Sequence, residues 1–385
     1  MILPLILTLY LFSYAALGID IGGEESLDNI LRLDTEKHVT WGLKNRLRLE
    51  VQSPQNLPDE RDVRFYSSLD FYILNGIQNP LETLPYYQDF SIPDSLQSLK
   101  DFLDNGFLDI SRLYIQIPVY KAEIVFGRQR VPWGQGIYFR PLDFFNKVNP
   151  IDLKAEKLGL DGLYATIPIS LMSSLEFLIV PNKWPGHSQA GTRAHIHVHT
   201  FDIGASYAYR GKDLEGSELN SKPQVMGFDF KGDMGIGIHG EGLYRFYKTY
   251  PMDRNETKNR FKASIGADYS FLDGRLLPMI EYFYNGDGST DYKNYKRSGQ
   301  FEYLGRDYAV AQILYNPNIL ISWGLNTLMN LSDKSLVVTP LLDWSIYKRT
   351  TLDIAIPVVI GEDGREYDPK VLGRILGRLR LGLRF

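Results

Sequence analysis

The sequence predicts an all-β chain that closes as a transmembrane antiparallel up-and-down β-barrel of about 16 strands, with 18 as the second choice. Three observations carry that prediction. In the last thirteen residues, Gly373–Phe385, one parity holds Phe385, Leu383, Leu381, Leu379 and Ile375, and the other holds Arg384, Arg380, Arg378 and Arg374. A strand points successive side chains to opposite faces, so this segment has one apolar face and one face with four arginines. A helix would scatter those arginines around its cylinder. Second, alternating segments recur through the chain at intervals of roughly 12–25 residues, the spacing of a meander rather than of βαβ units. Third, tight turns at 232–235, 272–275, 316–318 and 348–350 alternate with longer polar connections at 211–222, 248–258, 287–305 and 361–371. Short turns on one side and long loops on the other describe a membrane barrel, and a soluble sandwich follows no such rule.

Composition bounds the rest. The chain has 385 residues and a formal net charge of −4, so nothing draws it as a whole toward nucleic acid. It has 25 Tyr and 20 Phe, which suits aromatic girdles at two membrane interfaces, although carbohydrate-binding β proteins are aromatic too. The absence of cysteine excludes a disulfide scaffold, thiol catalysis and thiolate metal sites.

Residues 1–18 are uncharged and mostly apolar and end in Ala16-Leu17-Gly18, which reads as a secretory signal peptide, with a short membrane anchor as the alternative. Residues 19–37, acidic between Glu24 and Asp34, are expected to form an N-terminal periplasmic segment, and 38–385 the barrel. In His38–Val51, Val39, Trp41, Leu43, Leu47 and Leu49 share one face, and Lys44, Arg46, Arg48 and Glu50 the other. Val63–Leu74 alternates similarly; 75–105 is a long connection in which Ser95–Leu103 has helical spacing. Further strands are read at Leu108–Pro118, Ala122–Gly127, Leu158–Ile167, Ser174–Val180, Arg193–His199, Phe201–Arg210, Gln224–Lys231, Ile236–Tyr247, Phe261–Phe271, Arg275–Asn285, Arg306–Tyr315, Ile319–Asn330, Leu336–Ile346 and Leu352–Ile360. With the terminal strand these make 17, an odd number. Single-chain bacterial barrels are even, so a strand is missed in 19–37 or 75–106, or a pair is misread near His199–Phe201.

In a closed meander the first strand pairs with the last. His38–Val51 beside the terminal strand would set Lys44, Arg46 and Arg48 in one lumen with Arg374, Arg378, Arg380 and Arg384. Like charges opposed across strands are unfavourable. Either this stripe meets anionic solute, or it pairs with inward carboxylates such as Glu50, Asp70, Glu176, Glu241, Asp268, Glu281 and Asp343.

The segment 127–152 interrupts the alternation with glycines, prolines and aromatics, too apolar to extend into solvent, so it should fold into the lumen or pack on the rim. It carries Gly127-Arg128-Gln129, Trp133-Gly134, Pro141-Leu142-Asp143, Asn146 and Asn149-Pro150-Ile151-Asp152. That pattern resembles a signature of bacterial outer-membrane porin-like barrels, the alginate-export-like barrels and related porin-like families among them. The resemblance implies a channel or export pore in the outer membrane of a diderm bacterium, bathed by lipid, with Arg128, Arg130, Trp133, Arg140 and Asp143 as candidate constriction residues. It implies no cofactor and leaves the solute, and any homo-oligomer, open.

His195, His197 and His199 share a strand face, and two of them, His195 and His197, are a weak metal candidate; all three cannot converge readily, because alternate residues rise about 6.8 Å. No Gly-x-Ser-x-Gly elbow occurs, and His239 with Glu241 is a weak acid–base pair that any polar lumen wall would carry, so no enzyme is expected. The expectation is a channel passing small hydrophilic, preferentially anionic, solutes. The alternatives are a secreted all-β carbohydrate-binding or carbohydrate-active protein and a barrel that exports or assembles polysaccharide.

Overall fold

A computed structural model describes residues 19–54, 63–76, 106–131, 133–143, 145, 156, 159–182, 188–209, 224–246, 261–295 and 303–385. The expected signal peptide and the helix at Ser95–Leu103 lie outside them. The strands are β1 (Asp20–Leu33), β2 (Val39–Gln52), β3 (Arg64–Gly76), β4 (Gly106–Val119), β5 (Ala122–Gln129), β6 (Leu160–Ser170), β7 (Ser173–Val180), β8 (Gln189–Val198) and β9 (Phe201–Tyr209). They continue as β10 (Gln224–Asp233), β11 (Gly237–Phe246), β12 (Phe261–Asp268), β13 (Leu276–Asn285), β14 (Asp307–Asn318), β15 (Ile321–Asn330) and β16 (Ser335–Tyr347). Next is β17, in two halves (Thr350–Ala355 and Val358–Ile360), and finally β18 (Ile375–Arg384). Both halves of β17 pair with β16 and β18; the break falls at Pro357, which has no N–H to give the ladder.

Each strand pairs antiparallel with its neighbours in sequence, and β1 pairs with β18, so the sheet closes with 18 strands. This corrects the first expectation of about 16 strands. The missing strand is β1, so residues 20–33 belong to the barrel wall and are not a periplasmic segment. Its turn to β2 is drawn together by Asp34, whose Oδ1 accepts from the backbone N–H groups of Glu36 and His38, both at 2.8 Å. The pair at His199–Phe201 is a true hairpin between β8 and β9, with His199 in the left-handed region at φ 63°.

All four tight turns named from the sequence fall on the rim where β1 starts and β18 ends, and the strand ends that the four long connections join fall on the other. Outward positions are apolar and exposed, as at Phe126, Phe228, Ile265 and Trp323, whereas the inward Asp229, His239 and Glu281 are fully covered. Outward aromatics gather toward the long-loop rim (Trp41, Tyr244, Phe246, Phe261, Tyr282) and toward the short-turn rim (Tyr269, Phe271, Tyr315, Trp323, Trp344). An exposed apolar wall between two aromatic girdles, around a polar interior, is the surface of a protein that sits in lipid. Among the described residues no helix is long and apolar enough to cross a membrane, which says nothing of strands.

Candidate functional site

At the end of β5 the Gln129 side-chain amide donates to the Val125 and Gly162 carbonyls, and the chain then turns into the lumen. The described residues between 130 and 145 form an inward strap, and its apolar Trp133, Phe139 and Leu142 are buried in prepared places. Trp133 packs with Val131, Leu178 and Ala208 and meets Phe145 edge-on. The wall makes room for it at Gly191, where a Cβ would come within 2.6 Å of the indole. Leu142 packs with Val225 and Leu243. Phe139 stacks on Phe283 (5.0 Å between centroids, 17°) in a cluster with Tyr308, Val310, Leu328 and Val337 from the facing strands.

The strap's polar backbone is held by two wall carboxylates. Glu241 on β11 accepts from the N–H groups of Gln135 (2.9 Å), Gly136 (3.0 Å) and Leu142 (2.9 Å). Glu281 on β13 accepts from Tyr138 (2.9 Å) and Phe139 (2.7 Å). Ser264 Oγ adds a donor to the Phe139 carbonyl at 3.2 Å. Gly134, at φ 88°, lets the chain bend directly over Glu241: a Cβ there would lie 2.4 Å from the carboxylate.

The other end of the same connection is held in the opposite sense. Glu156 reaches Arg46 (2.8 Å) and Arg48 (2.9 Å) of β2 and Arg130 (2.5 Å). Burial raises the pKa of this carboxyl, but Arg48, Arg130 and Arg46 outweigh that and hold it well below the usual range. β2 and β11 are nine strands apart in a ring of 18, so the connection is tied to opposite sides of the lumen.

The closure seam differs from the seven-cation stripe read from the sequence. β1 intervenes between β2 and β18, and its inward Glu24 and Asp28 alternate with the arginines. Arg46 and Arg384 meet Glu24 at 3.0 and 3.3 Å, Arg380 meets Asp28 at 2.8 Å and Arg378 approaches it at 3.6 Å. Arg48 forms two bonds of 2.6 Å with Asp70. Lys44, opposite Asp28 in the register, lies 5.4 Å over the Tyr72 ring.

No family model and no curated protein matches this chain. Solved structures do. OccAB4 of Acinetobacter baumannii superposes with a TM-score of 0.58 at 8% identity, over 96% of this chain and 98% of that one. OccAB1 of the same organism gives 0.57 at 10% identity, over 95% and 96%. A double variant of OccD1 (OprD) gives 0.51 at 8% identity, over 96% and 97%. The fold is that of the bacterial outer-membrane porins. The likeness to the alginate-export barrels has no counterpart among these structures.

Within this porin fold, Lys44, Arg46, Arg48, Arg378, Arg380 and Arg384 stand on inward positions, while Arg374 precedes β18, where its N–H bonds the Leu33 carbonyl. Of the constriction candidates, Trp133, Arg140 and Asp143 lie on the strap and Arg130 at its base, with Arg140 exposed. Arg128 does not join them. Its rung is shared with the outward Leu113 and Asp161, and it pairs with Asp161 at 2.6 Å on the outer face near the long-loop rim. Asn146, Asn149, Pro150 and Asp152 lie outside the described residues. His195 and His197 converge on Asp202 across the hairpin, at 3.4 and 2.8 Å, and no cluster of three or more metal-ligating groups occurs among the described residues. His239 sits 3.2 Å from Glu281, beneath the strap.

A second rim element leans inward beside the strap. In 361–374, Tyr367 and Leu372 join the Phe139 cluster, and Glu366 Oε2 accepts from Tyr308 Oη (2.5 Å), Asn330 Nδ2 (2.7 Å) and the Gly305 N–H (3.4 Å). Enclosure of this carboxyl pushes its pKa up to about 7. The packed loop therefore favours the neutral acid. Its contribution is complete below the ordinary value of 4.5 and is lost as pH rises through about 7. Amide hydrogen exchange across 361–374, corrected for intrinsic rates, should accelerate between about pH 5 and about pH 8. Glu366→Gln should remove that dependence; an equal acceleration in the variant would exclude Glu366 as its source.

Proposed function

We propose that this chain is a porin-like channel for the passive passage of small hydrophilic solutes across the outer membrane, with anions favoured. The observation that carries the reading is the strap tied to both sides of the lumen, with arginines of the wall at one anchor. Its carboxylates are shared: Glu24 serves Arg46 and Arg384, and Glu156 serves Arg46, Arg48 and Arg130. With Asp70 on Arg48 included, the carboxylates of Glu24, Glu156 and Asp70 stand among the guanidiniums of Arg46, Arg48, Arg130 and Arg384, so cations outnumber anions and leave a positive field along the wall, which attracts anions into the narrowed passage. A strap across the lumen suits small solutes better than an extended polymer, so export of polysaccharide is the weaker reading. A secreted soluble protein does not accord with the exposed apolar wall.

Reversal potentials in planar bilayers under a salt gradient test the charge preference. The native channel should favour the anion, and Glu156→Gln should favour it further, because three guanidiniums lose their shared counter-charge. A cation preference in the native channel would overturn the reading.

A further inference from the structure

We propose that the rim segments 303–306 and 361–374 form a lid over the seat of Phe139, and that lifting this lid frees the middle of the strap and widens the passage. The proposal rests on the reading of the strap as the constriction. The strap's three apolar seats are not built alike. Among the described residues, Trp133 and Leu142 are seated by strands and by the strap itself. The seat of Phe139 has a floor from the wall, Phe283 of β13 and Tyr308 of β14, and a cover from the rim. Tyr303 meets Phe139 edge-on (5.4 Å between centroids, 60°), and Tyr367 and Leu372 belong to the same cluster. Tyr308 joins floor to cover. Its ring lies 6.2 Å from that of Phe139 and 4.9 Å from that of Tyr303. Its hydroxyl donates to Glu366 and accepts the Gly305 N–H, both at 2.5 Å. Both partners are lid residues, so the ring that backs Phe139 is itself held by the lid.

The lid is tied to the strand ends by local polar contacts. The Glu366 N–H bonds Asp333 (2.8 Å), the Tyr367 N–H bonds Ser335 Oγ (3.2 Å), and Asn285 Nδ2 donates to the Tyr303 and Gly305 carbonyls (2.8 and 3.0 Å). On its other side Glu362, Asp363 and Val371 are exposed. A short rim element with water on one side and an apolar contact on the other opens locally, without the barrel unfolding. What it covers decides the effect. Between Trp133 and Leu142 the exposed residues are Ile137 and Arg140, and they flank Tyr138 and Phe139. With Phe139 unseated, 137–140 keeps as anchors the Glu281 carboxylate and the Ser264 hydroxyl. Trp133 and Leu142 stay seated and serve as pivots. A packed side chain either occupies its seat or leaves it, so the middle of the strap has two positions and the lid biases which is populated.

The chain has no cysteine, so a single introduced thiol reports its own neighbourhood. Ser264 bonds the Phe139 carbonyl and is buried; Ala208 packs with Trp133 and is fully covered. Ser264→Cys and Ala208→Cys chains in lipid vesicles would be treated with a small water-soluble thiol reagent, each with and without Glu366→Ala/Tyr367→Ala in the lid. Heat-modifiable migration confirms a closed barrel; Leu372→Ala, a milder change in the lid, replaces the double variant should that not fold. A covered group reacts in proportion to the population in which it is uncovered, so the lid variant should accelerate modification at 264 about tenfold or more and leave 208 unchanged. The same lid change without the thiol should add conductance levels above the native one in planar bilayers. No acceleration at 264, equal acceleration at 208, or a conducting channel without higher levels would each overturn the proposal. Labelling needs no solute, so a native chain that does not conduct overturns the channel reading alone.

Discussion

A Glu241→Ala/Glu281→Ala double variant is expected to conduct more than the native channel and to fluctuate between levels. The two carboxylates accept five strap amides. Hydrogen bonds to a charged group contribute about 1.5–3 kcal/mol each, and their non-additivity argues for counting fewer than the sum. A loss of only about 3–4 kcal/mol multiplies the released population about 10²–10³-fold. The Phe139 and Trp133 contacts remain, so the strap should detach intermittently rather than be lost. Single-channel recording reads this directly. A quiet trace at native conductance from a folded double variant would show that packing alone holds the strap.

Arg48→Leu should be the most damaging single change on the lumen wall. It leaves Asp70, 1% exposed, without its bidentate partner and takes one of three guanidiniums from Glu156. Breaking a buried pair from one side costs about 3–5 kcal/mol, because the remaining charge stays buried and uncompensated. Removing both, as Arg48→Leu/Asp70→Leu, should recover much of that loss. Urea unfolding from lipid bilayers followed by tryptophan fluorescence gives both values. A single variant within about 1 kcal/mol of the native barrel would mean that water reaches Asp70 and carries its charge.

The terminal strand, the four tight turns and the inward fold of the interrupted loop were legible in the sequence. Each rests on local chemistry: alternation of Leu and Arg, turn-forming residues, and a loop too apolar for solvent. β1 was not legible. Its outward Glu25 and Asn29 spoil the apolar face by which most of the other strands announce themselves, and Gly22 and Gly23 dilute it further. The odd strand total still pointed to a missing partner, and 19–37 was one of the places it indicated. Missing β1 also misplaced the seam, since the stripe of like charges existed only while no acidic strand stood inside it.

The site was legible in its materials and not in its connections. Glu241 and Glu281 read as inward carboxylates awaiting arginines, yet they serve backbone N–H groups, which no side-chain pattern reveals. Glu156 lies outside any strand and has no periodicity to mark it. Arg128 read as a pore residue because it follows a glycine in a suggestive motif, whereas the ladder turns it outward.

The seam also sets when this molecule can become itself. Asp28 and Arg380 meet across 352 residues of sequence. β1 is therefore the earliest of the described strands and among the last to be satisfied on both edges. Until β18 arrives it presents an open edge, lined with carboxylates whose guanidinium partners come from the far end of the polypeptide. Such contacts form late, because their loop-closure cost falls due before any of their stabilisation is returned. Completion is then a latch: until the terminal strand is in place, β1 has a partner on one edge only.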